Sequence, residues 1–546
     1  MFSPDREPHP AVHEIKYLQS PVVFLSDKGS GDEAHIELDL NNAQTPISLR
    51  VKNRYAFRDL SHLKWVWLLT DSRSPDPLCC GKFDIKDCLA RLNLQDALRE
   101  MKEQQRILKG QGQEYFLSIR GSLKNETSWA QADHVLVAQQ FRLLIKQASE
   151  SPTYNPEVFS SGALGVTEDD VIEIRRMTGN RDDVLVVVEK SSGSLIWFAP
   201  DGRNVLSTNG GVVPNFSRAA TDNDKGGLEL ALDFMFPGLG VQRIHGFFRG
   251  NEDFSYWSRW KTVGLAQEVP PVVKCKGYDV SSSADGESVD INVQCEVRSA
   301  LRGDTLFLVN ICYTVNSAAQ LRIRSRVVPT SRLKKVGSLP RVGLKFQLSP
   351  SLADVQYYGR GPNEVGLSQL YLAVLCHPIC RISSRNRIQT HLCVDFPNSK
   401  NYPDRKSGSE MAVYNTSPSR MAYTKYVVPS ENGSRSDCKW IAFREEDGSS
   451  GLCVVADEGE TFTCGAQLHS SDELDAATHT CDLEQREDGK HPIHCHIDHK
   501  LMGVGGDTRY VKHIVNFSSI APLKGLTVVY LARLSAGIRS STLNIW

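Results

Sequence analysis

The chain has 546 residues, of which 40% are hydrophobic and 23% charged, and its 63 basic and 64 acidic side chains leave a formal net charge of -1. That length exceeds a single core and implies two or three domains of ordinary globular composition. The neutral balance excludes an electrostatic case for nucleic acid or another polyanion as partner, and no apolar run of about eighteen residues is present to span a membrane as a helix.

The opening MFSPDREPHP lacks the basic-then-apolar pattern of a signal peptide. The 14 cysteines are scattered without a regular framework, with Cys79-Cys80 and Cys376/Cys380 as the close groupings, and they read as reduced thiols. A soluble, cytoplasmic chain is the expectation.

Residues 1–20 are too few to begin and close a domain and read as the tail of something that precedes them. From residue 21 to 145, short alternating apolar runs such as ISLRVKN, LKWVWLL, YFLSIRG and HVLVAQQFRLL are separated by polar turns, the pattern of a β-sandwich. One amphipathic helix is predicted over 85–108, from the helical spacing of Ile85, Cys88, Leu89, Leu92, Leu94, Leu98 and Met101. Residues 146–156 are polar and proline-bearing and read as a linker. Beyond it, DVLVVVEKSSGSLIWF predicts a hairpin turning at Ser192-Gly193, and ESVDINVQCEV, DTLFLVNICYTV, QLRIRSRVV, VGLKFQLS, KWIAFRE, SGLCVVAD and TVVYLARL predict further strands. Residues 157–546 therefore read as one large two-layer sheet domain, without the strand-helix rhythm of a barrel enzyme.

Two clusters could carry chemistry. RAATDNDKGG, opening at Arg218, packs Asp222, Asn223 and Asp224 together; such oxygens suit calcium, but the spacing and terminal glutamate of a calcium loop are lacking, so a structural loop is expected. HPIHCHIDHK places His494, His496 and Asp498 on one face of a strand, from which zinc or a sugar could be approached, while His491 and His499 project elsewhere. Its plainest reading is a half-exposed polar strand at a sheet rim. No nucleophile elbow, phosphate loop or dinucleotide fingerprint occurs.

Taken together, PDREPHP (4–10), TSWAQADHVLVAQQ (127–140), RAATDNDKGG (218–227), WSRWKTVG (257–264), RVGLKFQL (341–348), GRGPNE (359–364) with NYPDRKSG (401–408), YVVPSENG (426–433) and DHKLMGVGGD (498–507) resemble, in colinear order, segments of the large bacterial-type β-galactosidases of glycoside hydrolase family 2. The resemblance covers nearly the whole chain but only the carboxyl-terminal part of that family's architecture. It implies a mainly β fold: 1–20 as the exit of a missing (β/α)₈ barrel, 21–145 as an immunoglobulin-like sandwich, and 157–546 as a β supersandwich related in fold to galactose mutarotase. In such enzymes two glutamates about 5 to 5.5 Å apart perform a retaining double displacement from a barrel of about 250 residues. The resemblance thus implies no catalytic residue here, no turnover by this chain alone, and no bound cofactor, with magnesium and a monovalent cation expected on missing domains.

By the same resemblance the chain would shape the active-site mouth for a β-galactoside and help build a homo-oligomer. Aligning MGVGGD puts His494 near an expected aromatic residue, which makes His494, His496 and Asp498 the substrate-mouth candidates. Arg218, Asp222, Asn223, Asp224, Glu364, Asn401, Asp404, Arg405, Glu431 and Asn432 fall in motif loops with structural roles. A stand-alone carbohydrate-binding or scaffold protein, and a mutarotase-like enzyme, are the alternatives.

One motif is split. The family pattern runs from Glu364 directly to Asn401, yet residues 365–400 intervene with one acid, Asp395, four basic residues and three cysteines. Valine codons begin GU and a lysine codon can end AG, so an intron read through in frame is the expectation, a functional loop the competitor. The start at Met1 would then be an internal methionine of a longer gene, and the tail after Asp507 is divergent.

Overall fold

The computed structural model describes residues 6, 10–26, 35–39, 47–86, 88–92, 94, 114–146, 163–178, 181–208, 210–225, 256–336, 338–361, 409–423, 426–448, 450–457, 460–502 and 526–533. Among these residues strands predominate and form five sheets. Most of the predicted linker, Glu364, and the whole stretch from residue 365 to Arg405 lie outside the described residues.

Period-two alternation builds the first unit. In Leu63–Asp71 the buried Leu63, Trp65, Trp67 and Leu69 alternate with half-buried residues. This strand pairs with Tyr115–Leu123 and Cys79–Phe83, and Val135–Lys146 and His35–Asp39 complete the sheet. The facing sheet runs Val22–Leu25, Ile47–Asn53, Leu89–Leu92, Ile85–Lys86. Between them Phe24 meets Trp65 edge-on, with ring centroids 5.4 Å apart. Gly81 and Gly121 lie under the indoles of Trp67 and Trp65, where a Cβ would collide.

The helix expected over 85–108 is not formed at its start. Ile85–Lys86 and Leu89–Leu92 are strands, with Ile47 paired to Leu92. Cys88 between them has φ +59°, which breaks any helical run, and the inward residues are Ala90 and Leu92 at period two. Two short strands around a left-handed residue imitate helical spacing. Residues 95–108 lie outside the described residues.

The second unit contains a four-stranded sheet including the predicted hairpin, Arg181–Glu189 with Leu195–Phe198, whose turn uses Gly193 at φ +73°. A nine-stranded antiparallel sheet and a five-stranded sheet share one core, in which Leu344, Phe346, Ile493 and Ile497 meet Ile291, Val309 and Tyr313.

The two units touch through the outer face of the first. Phe116 packs with Tyr358, Val413 and Trp440. Successive glutamines of Val135–Lys146 divide the work, because neighbouring strand residues point to opposite faces. Gln139 accepts from Phe24 N at 2.9 Å and donates to Phe24 O at 2.7 Å, sealing the sandwich edge. Gln140 makes the same two-way contact with the Met411 backbone, at 2.8 and 3.0 Å, in the second unit.

Candidate functional site

The five-stranded sheet is ordered Val213–Asn215, Arg341–Leu348, Ile493–Leu501, Phe462–Gln467, Arg435–Cys438. Its inner face is apolar, formed by alternate residues such as Leu344, Phe346, Cys464, Cys495 and Ile497. Its outer face is polar, and the register arranges it in rows. Asn215, Gly343, Asp498 and Thr463 form one row; Val213, Lys345, His496 and Gly465 the next; Gln347, His494 and Gln467 the third. This face floors a cavity of about 660 Å³, walled by Glu189, Ser192, Ile196, Thr208, Gln267 and Asp472.

The predicted trio His494, His496 and Asp498 does share this face, but not at a rim. Their strand is the middle one of the sheet and is paired on both sides, so the half-exposed edge expected for it is corrected: Asp498 is fully buried and His496 nearly so. Glycines make this possible. A Cβ at Gly465 would strike the His496 ring, and one at Gly343 would strike Asp498, so both polar side chains lie against glycine backbone.

Asp498 Oδ2 and His496 Nδ1 share a 2.8 Å hydrogen bond, the ring nitrogen donating in the tautomer that suits a carboxylate acceptor. His496 Nε2 faces Ser434 Oγ at 3.4 Å and Glu431 Oε1 at 3.6 Å. Arg341 donates to Glu431 at 2.5 Å, with its Nε 3.7 Å from Asp498. Arg341, Glu431 and Asp498 are buried together, and the one guanidinium lies against both carboxylates. The network fixes the imidazole in one orientation.

His494 and Lys345 face the cavity itself. Burial pushes the His494 imidazole below its ordinary value, with Arg486, His469 and Lys345 acting the same way against Glu473. Burial by the cavity walls also lowers the Lys345 amine, opposed by Asp472 and reinforced by Arg341, although the lysine chain reaches solvent. His491 lies outside the strand, its Nδ1 3.4 Å from Glu487 O, and His499 is the extra residue where the pairing with Arg341–Leu348 shifts register between Asp498 and Lys500.

The motif loops brace this sheet. Arg218 and Asp224 form a fully buried bidentate pair at 3.1 and 2.6 Å; Asp224 also accepts from Thr221 N at 2.9 Å, and Arg218 donates to Met502 O at 2.6 Å while lying over the Trp260 ring at 5.5 Å. Asp224 is therefore committed to a guanidinium, as a structural loop requires. The side chains of Asp222 and Asn223 lie outside the description. Asn432 accepts from Tyr423 N at 2.9 Å and donates to Ser430 O at 2.8 Å, which shapes the loop presenting Glu431. Glu364, Asn401, Asp404 and Arg405 lie outside the described residues. Among the described residues no group of three metal-ligating side chains converges.

Arg341, Lys345, Gln347 and Gln467 were not singled out by the sequence reading. The signal was present: in RVGLKFQL, Arg341, Gly343, Lys345 and Gln347 alternate with apolar residues, which marks one face as polar.

The family pattern described as "Beta galactosidase small chain" matches residues 180–365 and 398–516, and "Beta-galactosidase, domain 4" matches 49–144. The chain belongs to the β-galactosidase small-chain family. A β-galactosidase of Pseudoalteromonas haloplanktis is 26% identical over 517 residues, and one of Psychromonas ingrahamii is 25% identical over 505. These alignments cover 93% and 92% of this chain but 39% and 38% of the relatives, so the chain spans about two fifths of their length. A galactose mutarotase-like protein from Lactobacillus casei aligns structurally over 68% of this chain and 100% of its own, at 8% identity and a TM-score of 0.27. The fold is mainly β, and no described helix is long and apolar enough to cross a membrane.

Proposed function

We propose that this chain is the carboxyl-terminal, non-catalytic part of a family 2 β-galactosidase, which acts in the intact enzyme by walling the active-site mouth and contributing to the oligomer. The observation that carries this reading is the coverage: the alignment with β-galactosidases spans 93% of the chain and 39% of the relative. Hydrolysis of terminal β-galactosyl residues would then be done by a barrel outside this sequence, where magnesium and a monovalent cation would also sit. A cytoplasmic location fits this role. Purified chain given a chromogenic β-galactoside should release no chromophore beyond an empty-vector control; turnover above that control would overturn the proposal.

The cavity favours a second reading, a stand-alone carbohydrate-binding protein. A floor of amides, imidazole and amine offers donors and acceptors side by side, the mixture that vicinal hydroxyls need. Calorimetry with galactose would register heat in the absence of hydrolysis. The juxtaposition of Glu431 and His496 is also what a mutarotase-like proton transfer would use, and polarimetry of freshly dissolved α-galactose reads it separately.

A further inference from the structure

Lys345 occupies the middle of the polar floor. Val213 lies on one side of it and His496 on the other, in the same row. Arg341 is engaged by Glu431, whereas Lys345 forms no ion pair or hydrogen bond among the described residues, although Asp472 and Glu189 line the same cavity. A lysine that reaches solvent through a 660 Å³ cavity, with no carboxylate bound to it among the described residues, has its amine available for chemistry. His494 stands diagonally across the strand pair from it, at a spacing of about 7–8 Å between such positions, which a long lysine chain readily spans.

We propose that Lys345 is a carbonyl-reactive lysine that condenses with a small hydroxyaldehyde, such as the open-chain form of an aldose, seated on this floor. Gln347, Gln467 and His494 supply hydrogen bonds to the hydroxyls. The Lys345 nitrogen lone pair forms the new bond to the carbonyl carbon, and the carbonyl π pair moves to oxygen, which takes a proton as the nitrogen gives one up. The resulting carbinolamine oxygen then takes a proton from solvent admitted by the cavity and leaves as water, while the nitrogen lone pair closes the C=N bond and the iminium proton returns to solvent. One water is released and no oxidant or reductant is consumed. Burial lowers the amine against the opposing Asp472 carboxylate, with Arg341 acting the same way as burial, which enlarges its nucleophilic fraction. The inference goes beyond the proposed place of the chain in a hydrolase and stands independently of it.

The test uses the full chain at pH 7 with D-glyceraldehyde and sodium cyanoborohydride, which reduces an imine to a stable amine, followed by peptide mass mapping. Lys345 is expected to be modified several-fold faster than an exposed lysine such as Lys274. Lys345→Arg should lose that adduct and keep the rest of the map, with a melting temperature matching the parent. Labelling of Lys345 no faster than Lys274, or an unmodified Lys345, would overturn the proposal. If Lys345→Arg melts early, the map of the parent chain alone decides it.

Discussion

The carboxylate of Glu114, in the first sandwich, accepts a 2.6 Å hydrogen bond from the hydroxyl of Tyr358, in the second unit. The same carboxylate lies 2.9 Å from Lys439 Nζ and 2.7 Å from Arg142. Burial alone would raise Glu114, but Lys439, then Tyr358 and Arg142, outweigh it and bring the carboxyl below its ordinary range. Burial and the Glu114 anion raise Tyr358 far above the usual phenol range, so it remains a donor. Glu114→Gln should cost about 1–3 kcal/mol in urea unfolding at pH 7. A depressed carboxyl contributes stability that is complete above its unfolded pKa and is lost as pH falls through its folded one. The gap between parent and variant should therefore narrow on acidification; a gap constant with pH would contradict this account.

Arg218→Met should leave Asp224 buried without a cation and destabilise by about 3–5 kcal/mol. Replacing Asp224 by leucine in the same chain should recover part of that loss, because the uncompensated charge is then gone. Urea midpoints of the single and double variants decide it, and strictly additive losses would argue against the pairing.

Gly465→Ala drives a methyl into the His496 ring and should cost about 1–3 kcal/mol. Gly277→Ala is the control, since nothing lies within 4 Å of its added carbon and its effect should stay within about 0.5 kcal/mol. The imidazole resonances of His496 should move in the first variant and stay put in the second.

Ser470 and Glu473 form a capping box at the helix Ser471–Ala476, and Arg486 grips the same carboxylate at 2.5 Å. Burial would raise Glu473, but hydrogen bonds from Arg486 and Ser470 prevail and hold it at about 2. The cap should thus persist below the ordinary glutamate value of 4.5 and fail only as pH approaches about 2. An NMR titration of Glu473 reads this directly; protonation near 4.5 would sink it.

The strands were legible wherever one face is wet and the other dry, as in LKWVWLLTD, because the period of two survives in composition. Ile85–Leu92 misled because Cys88 resets the phase between two strands, and a left-handed backbone leaves no mark on hydrophobicity. The His494, His496, Asp498 face was readable from spacing within one strand. Its partners Arg341 and Glu431 were not, since they come from 90 residues apart in sequence and meet only through sheet pairing and a loop. The burial of Asp498 was hidden as well, because it depends on the absent side chain of Gly343 on the adjoining strand.

The adjacent amides of Gln139 and Gln140 work in opposite directions, one locking its own sandwich and the other gripping the neighbour. Parity therefore governs this joint. Deleting a single residue upstream in that strand would exchange the two assignments, turning the internal latch outward and the external one inward, whereas loops on either flank could grow without disturbing either.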